Sequence, residues 1–289
     1  MNVEKHVVVI GGDGRYIELI RQLQLLKNLN ISLVGFDQLE QSFTGLKQID
    51  LKEIDMDKVD IVILPITGTD ETGNVEVVFS DHKIHLSEEW FQQLNPGTKV
   101  FTGITNNYLN YVTENASLTL IPLLNRDDIA ILNSIPTAEG TVMMAMEHTD
   151  FTIHSSKVVV VGFGRVGHTV ARTFAALGAK VAVSARSKKD LARIKEMGLE
   201  PIDIKTLPES VSDCDILINT VPALVVTKET IKQLPSHSII IDIATRPGGT
   251  DFDYAKKRGI RAILSKSLPG IVAPKTAGKI LAEVIIEHI

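Results

Sequence analysis

Gly162, Phe163, Gly164, Arg165, Val166 and Gly167 place three glycines at the G-x-G-x-x-G spacing directly after the apolar run Val158–Val161. Each glycine has its own task in such a turn. Gly162 permits the tight bend, Gly164 lets backbone approach a pyrophosphate, and Gly167 allows a helix to pack closely on its strand. The helix expected over 167–177 turns backbone N–H groups and a positive dipole end toward the phosphates, and Arg165, beside Val166 inside the turn, either reaches the phosphates as well or is simply solvated. The chemistry implied is dinucleotide binding. In a NAD site an acid about 20 residues further on takes the two ribose hydroxyls. Here the next strand ends in Ser184, Ala185, Arg186 and Ser187, and no acid occurs between Val181 and Lys189. Arg186, helped by Ser184, Ser187 and Lys188, suits the 2′-phosphate of NADP. Ser187 also has a structural use, because with Asp190 it spells a capping box for the following helix.

Other candidates lie at the carboxyl ends of later strands, where ligands bind in open α/β sheets. Asn219, Thr220, Val221 and Pro222 close one such strand, and Ile243, Ala244, Thr245 and Arg246 close the next. An earlier glycine turn, Gly12, Asp13, Gly14, has Ile17 where the third glycine should fall, so a second complete dinucleotide site is not expected there. Arg15 and the N–H groups of that turn either meet a substrate carboxylate or form a plain strand-to-helix turn. The histidines show no metal-ligand spacing, and no metal is expected. Cys214 reads as a buried, inert thiol, and Met143, Met144 and Met146 as packing residues.

The elements that must position these residues are two α/β units in tandem, each opening on a strand and a glycine turn. Strands are expected at 7–10, 31–35, 61–64, 100–102 and 118–121, with helices at 16–28, 88–94 and 107–114. A linking helix starts at Asn133 or Ser134, with Pro136 in its first turn, and runs to about His148. Beyond it come strands at 158–161, 180–184, near Pro201, and at 215–220, 238–243 and 261–264, the count of a doubly wound fold. The fold class is therefore α/β: two Rossmann-like or flavodoxin-like domains, the C-terminal one a doubly wound NAD(P)-binding Rossmann fold, joined by a linking helix. The boundaries are 1–133 for an N-terminal substrate and partner domain, 134–152 for the linking helix and 153–270 for the NADP-binding domain. Residues 271–289 form an amphipathic helix returning to the first domain.

At 289 residues, 44% hydrophobic and 22% charged, the chain has the composition of a folded globular protein. A net charge of -5 argues against general affinity for nucleic acid or an anionic membrane. The N-terminal apolar run is too short for a secretory signal, and no run approaches the ~18 residues of a membrane helix. A single cysteine fits a reducing compartment, so a cytoplasmic protein is expected.

The order of substrate domain, linking helix, nucleotide domain and return helix resembles the D-2-hydroxyacid dehydrogenases. Ala244–Gly248 resembles that family's substrate-arginine turn, and Pro274–Gly278 its catalytic-histidine turn. Lys275 stands where the histidine would be, and no glutamate occurs in Ser265–Pro269. A resemblance over nearly the whole chain is to the A subunits of dipicolinate synthase from spore-forming bacteria. It rests on GGDGRY at 11–16, NSIPTAEG at 133–140, GFGRVG at 162–167, NTVP at 219–222, DIATRPGGTDF at 242–252 and LPGIVAPKTAG at 268–278. That family implies an NADP-linked oxidoreductase subunit in the mother cell of a sporulating bacterium. With a flavoprotein-like B subunit it turns dihydrodipicolinate, or its hydrated tetrahydro precursor, into dipicolinate. A planar diacid needs two cationic or N–H anchors, for which Arg246, Lys275 and the Gly12–Arg15 turn are candidates, with Thr137 and Glu139 lining the same cleft. A homo-oligomer is expected. The rival class is a non-catalytic NADP-binding sensor or scaffold.

Overall fold

The computed structural model describes residues 4–39, 45–46, 48–245, 247–265 and 267–289. The chain divides into two compact units, with boundaries at Ala130/Ile131 and at Val272/Ala273.

The first unit opens on β1 (Lys5–Ile10), whose Val7, Val8, Val9 and Ile10 are all fully buried. Burial on both faces explains a continuous rather than alternating apolar run, as parallel strands require. Then follow α1 (Gly14–Gln24), β2 (Leu29–Val34), β3 (Val59–Ile63) and a short antiparallel pair, β4 (Asn74–Val75) and β5 (Ile84–His85). The unit continues through α2 (Glu88–Gln92), β6 (Lys99–Thr102), α3 (Asn107–Asn115) and β7 (Thr119–Pro122). Its five-stranded sheet has the order β2-β1-β3-β6-β7, every pairing parallel. That is the flavodoxin-like order, with its switch point between β1 and β3.

Helix α4 (Asp127–His148) begins in the first unit and runs into the second. It starts well before the Asn133–Ser134 start read from the sequence, and Pro136 lies in its interior rather than its first turn. An internal proline removes one backbone donor and crowds the preceding turn. Hydroxyls beside it bond the carbonyls on either side of the one it leaves without a donor: Ser134 Oγ donates to the Ile131 carbonyl at 2.6 Å, and Thr137 Oγ1 donates to the Asn133 carbonyl at 2.8 Å. Asp127 and Asp128 in the first turn suit the positive end of the helix.

The second unit is built from β8 (Lys157–Val161), α5 (Arg165–Ala176), β9 (Lys180–Ala185), α6 (Lys188–Glu196) and β10 (Glu200–Asp203). It is completed by β11 (Ile216–Asn219), α7 (Lys228–Gln233), β12 (Ile239–Asp242), α8 (Phe252–Arg258), β13 (Arg261–Leu264) and α9 (Leu268–Val272). The order β10-β9-β8-β11-β12-β13 is the six-stranded doubly wound arrangement, again all parallel. Apolar cores flank the sheet on both sides, one containing Val158, Val160, Val170 and Phe174, the other Val159, Val161, Leu217 and Ile240.

The segment read as one helix from Ile271 is two helices, α9 and α10 (Pro274–Glu287), separated at Ala273. Pro274 explains the break, since the residue before a proline is pushed out of the α region. Helix α10 packs against α1 in the first unit and contributes Leu281, Ala282, Val284 and Ile285 to its core. The approach is close at Gly278, where a Cβ would lie 2.1 Å from the Arg15 carbonyl oxygen. Gly278→Ala is therefore expected to destabilise the first unit by ~2–3 kcal/mol through backbone displacement. Denaturant unfolding monitored by circular dichroism checks it, and an unchanged midpoint would show that the two helices separate without cost.

Candidate functional site

The groove of interest lies at the carboxyl edge of the second sheet and encloses about 670 Å³. Its floor is the turn between β8 and α5. Gly162 has φ +101, and a Cβ there would lie 2.4 Å from Thr220 Oγ1. Gly167 brings α5 so near the strand end that a Cβ would lie 2.1 Å from the Gly162 carbonyl oxygen. Gly164 is different, because a Cβ built there meets nothing within 4 Å. Protein packing thus explains the outer two glycines, while the middle one faces open groove. Helix α5 also starts without a side-chain cap at Gly164, so its first-turn donors and dipole are directed at whatever occupies the groove.

One end of the groove is lined by Ser184, Ala185, Arg186, Ser187, Asp190 and Ile204. Ser184 Oγ is buried and has no hydrogen-bond partner among the described residues. A lone buried hydroxyl is costly, and a ribose or phosphate oxygen would satisfy it. Arg186 and Ser187 are exposed beside it. Ser187 Oγ accepts from the Asp190 N–H at 3.0 Å, which leaves its own proton for an incoming acceptor. The reciprocal half of the capping box expected from the sequence is not among the described hydrogen bonds. Asp190 is one methylene shorter than the glutamate that usually makes that return contact, and the residue is part of the groove lining.

The opposite end is formed by Thr220, Val221, Pro222, Ala223 and Val225. Thr220 Oγ1 donates to the Val161 carbonyl at 2.9 Å, tying this loop to the end of β8. Asn219, expected here from the sequence, is fully buried and turned back, its amide exchanging hydrogen bonds with Val221 at 3.0 and 3.1 Å. Ile243 and Ala244 follow β12 but are not among the residues lining the groove. Arg246 lies outside the described residues. Phe163, Ala185, Asp190, Ile204, Ala223 and Val225 line the groove without being among the binding residues expected from the sequence. Phe163 had a signal, as a non-glycine position inside the fingerprint. Ile204 had none, since it arrives through the short turn after β10.

The first glycine turn is closed to an anion. Asp13 caps α1, accepting from the Arg15 N–H at 3.0 Å, and its carboxylate also takes Arg15 Nη2 at 2.5 Å. The Arg15 side chain is only 7% exposed. The expectation that Arg15 greets a substrate carboxylate is therefore corrected: its guanidinium already serves an internal one. Lys275 is exposed in the first turn of α10, in the same unit, where Pro274 packs beside Gly14. Thr137 and Glu139 lie in the middle of α4 rather than at its start, because the helix begins earlier than expected. Thr137 spends its hydroxyl on the Asn133 carbonyl, and Glu139 is exposed. Cys214 is fully buried and burial pushes its thiol up to about 12, so it is not nucleophilic. Among the described residues no His, Cys, Asp and Glu group is placed to hold a metal, and no helix is long and apolar enough to cross a membrane.

Comparison with known proteins places this geometry. The A subunit of dipicolinate synthase from Bacillus subtilis (strain 168) is 50% identical over 279 residues, covering 96% of this chain and 94% of that protein. The chain belongs to the family of dipicolinate synthase A subunits. The crystal structure of the A subunit of dipicolinate synthase from Bacillus halodurans superposes with a TM-score of 0.95 at 54% identity, covering 100% of this chain and 98% of that one. Residues 6–124 match the N-terminal domain of the dipicolinate synthase A subunit, and residues 130–289 match the alanine dehydrogenase/PNT C-terminal domain. The fold extends further, since a transhydrogenase from Sinorhizobium meliloti matches with a TM-score of 0.70 at 16% identity, covering 98% of this chain and 92% of that one. In this member of the dipicolinate synthase family, the C-terminal half is thus a nicotinamide-dinucleotide binding fold. The open space at Gly164, the uncapped helix and the orphaned Ser184 hydroxyl all fit such a ligand.

Gly164→Ala separates binding from folding. The backbone at Gly164 has φ -81, which alanine adopts freely, and the added methyl meets no protein atom. Stability is expected to stay within about 1 kcal/mol, the difference between glycine and alanine at a cap. Dinucleotide affinity measured by calorimetry should fall about 10- to 100-fold, as the methyl intrudes on the pyrophosphate.

Proposed function

We propose that this chain is the NADP-binding oxidoreductase subunit of a dipicolinate synthase, acting on dihydrodipicolinate or its hydrated tetrahydro precursor. The observation that carries the choice of cofactor is the end of β9. Ser184, Arg186 and Ser187 line the groove where a NAD site would present a carboxylate on the strand end. Arg186 supplies a planar, always charged donor pair for a phosphate monoester, and the Ser187 hydroxyl proton and the Ser184 hydroxyl add neutral donors. Asp190, one turn into α6, opposes that charge in part and keeps the site from being a uniformly basic one.

The reaction follows from the chemistry of the substrate. NADP⁺ bound in the groove supplies the hydride acceptor. Oxidising a dihydropyridine ring produces an aromatic ring, so the step is downhill and asks the protein mainly for position and a route for one proton. The first-turn N–H groups of α5 would hold the pyrophosphate, and the Thr220–Ala223 wall would hold the nicotinamide end. Arg246 is the proposed anchor for a substrate carboxylate, with Thr137 and Glu139 as further contacts, and Lys275 of the first unit is proposed separately as a cation for a carboxylate. The B subunit, of flavoprotein-like character, completes the enzyme, which works as an oligomer in the cytoplasm of the sporulating mother cell.

Two measurements test this. Arg186→Ala should weaken NADP(H) binding by ~1.5–3 kcal/mol and leave NAD(H) nearly unchanged, the loss of one charge-assisted contact. Equal weakening of both would assign Arg186 to stacking or folding. Purified chain, NADP⁺ and freshly generated dihydrodipicolinate, with and without the B subunit, should yield NADPH and dipicolinate in equal amounts. Arg246→Ala and Lys275→Ala should each lower kcat/KM by at least about 10-fold. Undiminished turnover in both variants would remove them from the site.

A further inference from the structure

Asn219 and Asp242 end neighbouring strands as register partners, and both are fully buried. Asp242 is held by three donors: the Ala244 N–H reaches Oδ1 at 3.1 Å, while the Gly249 N–H and the Thr250 hydroxyl reach Oδ2 at 2.8 and 2.7 Å. None of these partners is a cation. A buried carboxylate satisfied only by neutral donors adds little stability beyond what an apolar residue would, so its use must lie in what it holds. It holds Ala244 on one side and Gly249 and Thr250 on the other.

From Gly249 the connection passes to the groove. The Gly249 carbonyl accepts from the N–H groups of both Val225 and Val226, at 3.0 and 2.9 Å. A Cβ on Gly249 would lie 2.3 Å from the Ala223 carbonyl oxygen, 2.4 Å from that of Val221 and 2.7 Å from Asn219 Nδ2. The wall made by Thr220, Val221, Ala223 and Val225 therefore rests on Gly249, and Gly249 hangs from Asp242. The other end of the groove, at Ser184 to Ser187, belongs to β9 and α6 and shares none of these contacts.

The geometry points to Asp242 as a positioning residue for the nicotinamide half of the dinucleotide. It acts through Ala244, Gly249 and Thr250, without touching the cofactor, by fixing the loop after β12 against the loop after β11. This rests on the dinucleotide reading above and on the rule that the two halves of a dinucleotide lie on opposite sides of the switch point, here between β8 and β11. Loosening Asp242 accordingly costs affinity for a whole dinucleotide and spares its adenosine half.

The test compares NADPH with adenosine 2′,5′-bisphosphate, which lacks the nicotinamide half, by titration calorimetry on the full chain. Asp242→Asn replaces one accepting oxygen by a donor facing an N–H group. It should weaken NADPH by ~10-fold and leave the bisphosphate within about twofold. Thr250→Val should weaken NADPH by about threefold and Thr250→Ser should restore it, which gives a readout even if Asp242→Asn fails to fold. Equal loss for both ligands, or no loss for either, overturns the positioning role. A wild-type chain that prefers NADH overturns the phosphate reading alone, and the same comparison is then made between NADH and ADP. Binding of neither dinucleotide by the wild-type chain overturns both.

Discussion

The start of α5 is the feature on which the remainder depends. A helix exposes unpaired N–H groups and a partial positive charge at its first turn, and something must answer them. The chain contains two such starts after two glycine turns and answers them in opposite ways. At α1 the answer is internal, because Asp13 caps the backbone and also neutralises Arg15. At α5 no side chain among the described residues caps the first turn, and Gly164 leaves open space where a side chain would stand. The same local architecture is therefore a sealed joint in one unit and an open seat in the other. The surrounding contacts serve that seat. Gly162 and Gly167 draw strand and helix together to set its depth, and the Thr220 hydroxyl pins the adjacent loop to the end of β8.

Most of the architecture could be read from residue patterns. Strands buried on both faces announce themselves as unbroken valine and isoleucine runs, and Val7–Ile10 and Val158–Val161 were legible for that reason. The fingerprint and the polar tip of β9 were equally clear, since glycine spacing and the absence of an acid are local properties. What was not legible depended on compensation between residues. Pro136 reads as a helix start because proline is favoured in a first turn, and nothing in its immediate sequence marks that the helix runs through it. Arg15 looked available because its pairing with Asp13 depends on side-chain conformation. Asn219 looked like a ligand contact by its place at a strand end, yet its amide turned inward to hold Val221. Asp242 drew no notice alone, because the three donors that give it meaning come from a loop further along the chain.

The parallel sheets also explain why the groove is lined by loops. In each unit every described strand of the main sheet points the same way, so the turns that follow them gather on one edge, and small changes of sequence there alter chemistry without disturbing the core. The pairing of Asn219 with Asp242 at that edge is a case in point. Two buried polar side chains, side by side in register, convert strand ends into fixed supports for loop sequence rich in glycine and proline.

The helix that closes the first unit brings a constraint of timing. Leu281, Ala282, Val284 and Ile285 of α10 are part of a core otherwise made by α1 and the first sheet, yet they follow the whole second unit in the chain. During vectorial synthesis the second unit, being continuous, can condense as soon as it has left the ribosome. The first must wait with an unfilled hydrophobic face until α10 emerges. The half of the molecule synthesised first is thus the half whose core is completed last.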